Sequence, residues 1–286
     1  MSMLQAEQPR PSYVIVKRPT IWRYVFAAAV LVSLALIVRA FAIGKIDWSV
    51  VRYYLFDPDI ISGIGNSIIL TFLAMVIGIV IGLVMALMLS SSNMVLRYFA
   101  RGYLYVFRSI PMLLQLLLWY NLALVFPTIG IPGLFAYNTV EVVTPFVAAL
   151  LAFGIGQGAY TTEVIRSGLL AVGKGQTEAA RSIGMTSGQA LRRVVLPQAM
   201  RVIIPPLGNE VIGMVKYTSL ASIIQYREII YSAQSIYYAN TMVIELLMVC
   251  AAWYSVVVGL LSIAQHYLER HFNRSAVPQT IVEVTA

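Results

Sequence analysis

Runs of apolar residues alternate along this chain with short polar stretches, and six of the runs are long enough to cross a bilayer. A helix rises about 1.5 Å per residue, so roughly 20 apolar residues span the hydrocarbon core. The runs cover about 21–43, 60–90, 103–126, 142–165, 202–224 and 242–264. They predict an all-α polytopic membrane protein with six transmembrane helices. Arg39 lies near the far end of the first run, where a long side chain snorkels to the headgroups. The second opens with Asn66, Ser67 and Thr71 and carries Gly78 and Gly82 in a G-x-x-x-G spacing. A lone spacing of this kind is a weak signal and is read as ordinary glycine usage in a membrane helix. The third run is preceded by Arg97, Arg101 and Arg108. Pro205, Pro206, Gly208 and Gly213 predict that the fifth is broken. Between the third and fourth runs, Pro127, Gly130, Pro132 and Gly133 predict a tight external turn.

Composition agrees with this pattern. The 286 residues are 59% hydrophobic and 11% charged, against about 25% charged in soluble domains. One membrane domain with little outside it is expected. The net charge of +8 does not point to nucleic acid, because the basic residues sit beside apolar runs, as orientation in a membrane requires. With the N-terminus inside, most of them become cytoplasmic: Arg10, Lys17, Arg18 and Arg23, the arginines of 97–108, six basic residues over 166–201, and Arg270 and Arg274. Both termini are then cytoplasmic. Residues 1–20, polar and carrying Pro9, Pro11 and Pro19, form a cytoplasmic tail, and 269–286 form another. The run at 21–43 is too long for a signal-peptide core and reads as a retained span. Cys250 is the only cysteine, which excludes an intramolecular disulfide.

The polar stretch 173–206 is more structured than orientation demands. Glu178, Ala179, Ala180 and Arg181 are good helix formers, and Gly184 stands where a left-handed cap would end a helix. Thr186 and Gln189 have capping-box spacing for a second helix over 187–195, ended or kinked by Pro197. Glu178 can be held by a helix start and by neighbouring arginines. The adjacent alanines offer a surface without bulk. The physical reading is an interaction surface for a cytoplasmic partner; the plain alternative is a solvated basic loop.

These residues resemble the EAA motif of bacterial ABC-transporter permeases. In that motif Glu-Ala-Ala is followed after three residues by Gly, and after nine more by an aliphatic residue and Leu-Pro. Here Glu178, Ala179, Ala180, Gly184, Val194, Leu196 and Pro197 are in register. Further blocks resemble the polar amino-acid uptake branch (histidine/glutamine permease-like): Phe107-Arg108-Ser109-Ile110-Pro111 with Gln115, Gly158 to Gly168, and Lys216-Tyr217-Thr218-Ser219-Leu220. Tyr217 stands where that branch has aspartate, and Ser109 and Ile110 where it has Gly and Thr. The resemblance covers most of 60–268. It implies the five-helix core of a type I importer, with 21–43 as an added N-terminal helix. It also implies a cytoplasmic coupling helix within 173–206, with Glu178, Ala179, Ala180, Arg181 and Gly184 received by an ATPase. The implied partners are cytoplasmic ABC ATPase subunits that bind ATP and Mg, a second permease chain, an extracytoplasmic solute-binding protein and an amino-acid substrate. The implied location is a bacterial inner membrane, and no cofactor is expected on this chain.

Ionisable groups at membrane depth line pathways or pair with each other. Glu163 and Arg166, three apart, are expected to pair structurally. Glu210, Lys216, Thr218 and Ser219 on the broken fifth helix, with Gln115, are candidates for the substrate pathway. For Glu210 and Lys216 the competing reading is a buried ion pair that fixes packing. The glycines at 154, 156 and 158 lack the strand context of a nucleotide fingerprint, and no phosphate-binding loop is present. His266, Glu269 and His271 share no face suited to a metal. Two other functions compete with an ATP-driven importer for polar amino acids. An ion-coupled secondary transporter would show inverted repeats and paired broken helices. A membrane scaffold would use the basic loop to recruit a cytoplasmic partner.

Overall fold

The computed structural model describes residues 21–131 and 134–273. The tails expected at 1–20 and beyond 273, with Pro132 and Gly133, lie outside the described residues. The chain divides into two compact units, Met1–Asp47 and Trp48–Ala286. Helix α1 (Ile21–Ile43) is the described helix of the first.

In the second unit, α2 (Trp48–Tyr54) leads to α3 (Pro58–Leu89). Asp57 caps α3 by accepting from the Asp59 N–H at 2.9 Å, and Pro58 starts it where a missing N–H costs nothing. Asn93 caps α4 (Met94–Ser109) in the same way. The run expected as one span over 103–126 is two helices. Ile110, pushed to extended geometry by Pro111, ends α4, and α5 (Met112–Tyr120) leaves at 100° to it. A short 3₁₀ turn follows. The turn expected between the third and fourth runs is a two-stranded antiparallel hairpin, β1 (Thr128–Ile131) with β2 (Phe135–Asn138), pairing Thr128 with Asn138 and Ile131 with Phe135. Beyond the short α6 (Thr139–Val142), Thr144 and Pro145 start α7 (Pro145–Ala171).

Then come α8 (Lys174–Ser182), α9 (Ser187–Ala190), a π-helical turn Leu191–Val195, and α10 (Leu196–Tyr217). The break expected at Pro197 is absent. Pro197 sits in the first turn of α10, directly after the wider π turn, which carries the chain on without a loop. The fifth helix is also not broken at Pro205 and Pro206, which lie inside α10. It changes instead at Thr218 into a 3₁₀ stretch, Thr218–Ile224, closed by Gln225 at φ 62°. Helices α11 (Ile229–Asn240) and α12 (Val243–Asn273) complete the fold.

Among the described residues, three helices are long and apolar enough to cross a membrane: Ile21–Ile43, Pro58–Leu89 and Val243–Phe272. The bent pair α4–α5 makes a fourth if counted as one span. Helices α7 and α10 occupy the other two expected positions. They are interrupted by polar groups such as Gln157, Glu163 and Arg166, and Arg201, Glu210 and Lys216.

The core lies between α3 and α7, where Leu70, Ala74, Met75, Ala148, Ala149, Ala152 and Phe153 are buried with Leu116 and Met214. The glycine spacing on α3 proves to be a packing device. A Cβ on Gly78 would lie 2.8 Å from Gln157 Cγ, and one on Gly82 would lie 2.7 Å from Thr161 Cγ2. Gly154 and Gly158 answer from α7, against Ile77 and Ile81. Reading Gly78 and Gly82 as ordinary usage was wrong because the partner groove, Gly154-x-x-x-Gly158, is on another helix. A second cluster joins Ile60 and Ile64 of α3 to Ile229, Leu246 and Val249, with the Trp253 indole donating to Leu55 O at 2.6 Å.

Candidate functional site

Helix α8 ends in a Schellman turn. Gly184, at φ +85°, donates to Arg181 O at 2.9 Å, and Met185 donates to Ala180 O at 3.1 Å. Two residues on, Gln189 N–H donates to Thr186 Oγ1 at 3.3 Å while Thr186 N–H donates to Gln189 Oε1 at 3.0 Å, which is the capping box. Helix, glycine turn and helix thus stand as the local signals predict. Two details differ. Glu178 lies mid-helix and is exposed, and among the described residues it forms no ion pair; Arg181 donates to Ser187 Oγ at 3.2 Å instead. The alanines are not one surface: Ala179 is exposed, whereas Ala180 is buried on the inner side of the turn. Ile183 is 75% exposed beside Gly184, an apolar group held out on a polar segment. Gln198, in the first turn of α10, donates to Gln176 Oε1 at 3.4 Å and ties α8 to it.

The five residues proposed for the pathway do not form one cluster. Gln115 is buried and donates to Phe107 O at 3.0 Å and Ile110 O at 2.8 Å, so it pins the α4–α5 bend. Its Oε1 is buried without a partner, close to Gly156. Thr218 is buried and bonds back to Val215 O at 2.7 Å, and Ser219 bonds back to Lys216 O at 2.7 Å. Lys216 is exposed and Glu210 half-buried. The ion pair weighed for them is not formed, since six residues place them about 120° apart around the helix and nearly two turns along it. Glu210 Oε2 instead accepts from Gln157 Nε2 at 2.9 Å.

Gln157, 1% exposed within α7, was missed by the sequence reading; its signal was a lone amide between two glycines in an apolar run. Gln265 was missed as well. It donates to Pro205 O and to Glu269 Oε1, both at 2.8 Å, fastening α12 to the proline-bearing part of α10. Glu163 and Arg166 pair as expected, at 2.8 and 3.1 Å, and Arg108 approaches the other Glu163 oxygen at 3.8 Å. The most buried carboxylate among the described residues was also unforeseen. Glu228 caps α11 by accepting from Tyr231 N–H at 2.7 Å, and Tyr254 O–H donates to it at 2.9 Å. Burial pushes its carboxyl up to about 7 despite these bonds. Among the described residues no group of three or more His, Cys, Asp or Glu is placed to hold a metal ion.

A mostly helical membrane unit with glycine-packed spans and an ordered polar helix pair is a permease-type architecture. The chain belongs to the family described as binding-protein-dependent transport system inner membrane component, which matches residues 78–274. It is 37% identical over 257 residues to the arginine transport system permease protein ArgU of Corynebacterium glutamicum, covering 89% of this chain and 81% of that one. It is 39% identical over 230 residues to the L-cystine transport system permease protein TcyB of Bacillus subtilis (strain 168), covering 80% and 92%. The crystal structure of an amino acid ABC transporter with histidines superposes with a TM-score of 0.69 at 38% identity, covering 79% of this chain and 99% of that chain. The inward-facing MetNI methionine ABC transporter shares the fold at 22% identity, with a TM-score of 0.59.

Proposed function

We infer that this chain is the membrane-spanning permease subunit of an ATP-binding-cassette importer for amino acids. The observation that carries this is the match of a transporter inner-membrane family over 78–274, together with amino-acid permeases similar over most of both chains. On this reading six helices cross the inner membrane, five of them the importer core within 60–268, and both termini are cytoplasmic. The relatives are named for arginine, L-cystine and glutamate/aspartate, so charge alone does not select the substrate within polar amino acids.

Helix α8, with Glu178, Ala179, Arg181 and the turn at Gly184, is proposed to be the coupling helix received by a separate ATPase subunit. Exposed Ile183 supports this, because an apolar side chain in water gains by docking. ATP and Mg²⁺ would be bound by that ATPase, leaving the chain without a cofactor or enzymatic step of its own. A second permease chain and an extracytoplasmic binding protein would complete the assembly. Closure of the ATPase pair would draw the coupling helices together and turn the permease halves outward, a rigid-body form of alternating access. Within the membrane, Glu210 held by Gln157 is the better supported pathway carboxylate, with Lys216, Thr218, Ser219 and Gln115 the remaining candidates.

Co-expression with the cognate ATPase tests the coupling role. Glu178→Lys and Gly184→Trp should lower ATPase co-purification and ATP-driven uptake together. Uptake at the unsubstituted level in both variants would overturn the assignment of α8. Glu210→Gln and Lys216→Met with unchanged uptake affinity and flux would remove those residues from the pathway.

A further inference from the structure

A cavity of about 640 Å³ lies between α4 and α7 near the end of α3, bordered by Arg101, Tyr105, Arg108, Tyr160, Glu163 and Arg166. Three guanidinium groups face one carboxylate. Arg166 already holds that carboxylate at 2.8 Å, and Arg108 stands 3.8 Å from it. Arg108 also lies over the Tyr160 ring, 5.9 Å from its centroid. Arg101 forms no ion pair among the described residues and only approaches the Tyr98 ring at 5.6 Å. The cavity therefore holds uncompensated positive charge, which calls for an anion.

The helix that carries two of these arginines narrows the anion to one kind. At about 100° per residue, Arg97, Arg101 and Arg108 fall within about 40° of one another on α4. On one side of this row, Ala100 and Leu104 are buried against the bundle. On the other, Met94, Val95, Tyr98, Phe99, Tyr105 and Val106 form an exposed apolar arc. Helix α4 turns from α5 by 100° and so does not continue it as a straight span. A row of arginines beside an exposed apolar arc, on a helix bent away from its neighbour, is the pattern of a helix lying in the bilayer interface.

We propose that this cavity binds the phosphate of an anionic phospholipid headgroup, with Arg101 and Arg108 as its ligands and the acyl chains along the apolar arc of α4. Guanidinium groups suit phosphate because they present paired N–H donors in a plane. Inorganic phosphate or a free carboxylate could use the same arginines, but neither would cover the apolar arc beside them. The proposal needs only that the chain sits in a membrane and does not rest on the importer reading.

The test uses the purified full-length chain in a neutral detergent. Native mass spectrometry would measure the affinity for dioleoyl-phosphatidylglycerol and for dioleoyl-phosphatidylcholine. Phosphatidylglycerol should be preferred. Arg101→Gln should weaken it about fivefold, and Arg101→Gln with Arg108→Gln about 25-fold, with phosphatidylcholine, whose choline offsets its phosphate, weakened less. Arg192→Gln with Arg193→Gln, equally basic but outside the cavity, should match the parent chain. Millimolar inorganic phosphate should not displace the lipid. Equal phosphatidylglycerol affinity in parent and double variant would overturn the proposal, as would equal loss of both lipids or full displacement by inorganic phosphate. If the double variant fails to fold, Arg101→Gln decides alone, since Arg101 is exposed and supports no ion pair among the described residues.

Discussion

Replacing Gly82 by alanine adds one methyl group where α3 meets α7. That Cβ would lie 2.7 Å from Thr161 Cγ2, 2.8 Å from Thr161 Cβ and 3.1 Å from the Thr161 carbonyl carbon. None of these atoms is the free end of a flexible side chain. Thr161 is fully buried and β-branched, so its rotamer has little room to change. Relief must come from separating the two helices, and overpacking of this kind costs about 1–3 kcal/mol.

Alanine also improves helix propensity by about 1 kcal/mol over glycine, which hides part of the cost. Gly65, on the same helix, separates the two effects, because a Cβ there meets nothing within 4 Å. Gly65→Ala should stabilise by up to about 1 kcal/mol. The difference between Gly82→Ala and Gly65→Ala is then the steric term alone, about 1–3 kcal/mol. Equilibrium unfolding in mixed micelles, titrated with dodecyl sulfate and followed by tryptophan fluorescence, would give both values. Thr161→Ser in the Gly82→Ala background should recover part of the loss, because it removes the nearest atom; contact pairs of this kind are coupled rather than additive. The reasoning fails if Gly82→Ala and Gly65→Ala shift stability by the same amount.

Two further predictions concern the turn after α8 and the cap of α11. Gly184→Val forces a β-branched residue to φ +85° and should cost about 1–3 kcal/mol locally; hydrogen exchange at the Gly184 and Met185 amides should accelerate, and unchanged protection would count against the Schellman assignment. Burial favours the protonated form of Glu228, whose carboxyl rises from 4.5 to about 7. The folded state therefore binds that proton more tightly, and its benefit, up to about 3 kcal/mol, is complete below pH ~4.5 and lost as pH rises to about 7. Glu228→Gln keeps an acceptor for the Tyr231 N–H and presents an NH₂ that can donate to the Tyr254 oxygen, and it should flatten that slope in unfolding titrations between pH 5 and 8; an identical slope in both proteins would refute the buried-acid account.

Signals carried by neighbours in sequence were readable without coordinates. Gly184, Thr186 and Gln189 announce the turn and the new helix start because caps are satisfied within a few residues. Glu163 and Arg166 meet because they are three apart on one helix. The long apolar runs of α1, α3 and α12 declare themselves by length. The features that escaped depend on partners far along the chain. Gly82 reads as ordinary until Thr161 is set against it. Glu210 reads as a partner for Lys216 until Gln157, on α7, supplies a better-placed donor. Pro205 and Pro206 predict a break that does not occur, and Gln265 of α12 donates to the Pro205 carbonyl at that level. Pro111 could have been read correctly, since it biases Ile110 away from helix, but the apolar run around it dominated.

The continuity of α9 through α10 bears on how force would cross this chain. A coupling helix on a loose loop would absorb a push as loop motion. Here α9, the π turn and α10 run on without a loop, and Gln198 joins the first turn of α10 to Gln176 of α8. Beyond that point Ala199 and Ile203 are buried with Ala86 and Ile165, so α10 enters the bundle against α3 and α7. A displacement of α8 would therefore pass through the Gly184 turn and the Gln176–Gln198 contact into the continuous run from α9 to Glu210, and Gln157 would register it on α7. The compliant point is the π turn, whose backbone is less tightly wound than the helices beside it. Deleting one residue from Leu191–Val195, to restore ordinary helical winding, would rotate α8 and α9 by about 100° relative to α10. On the coupling reading, that deletion should abolish ATP-driven uptake while leaving the fold and its stability in detergent intact. Full uptake by a stable deletion variant would show that α8 does not act through α10.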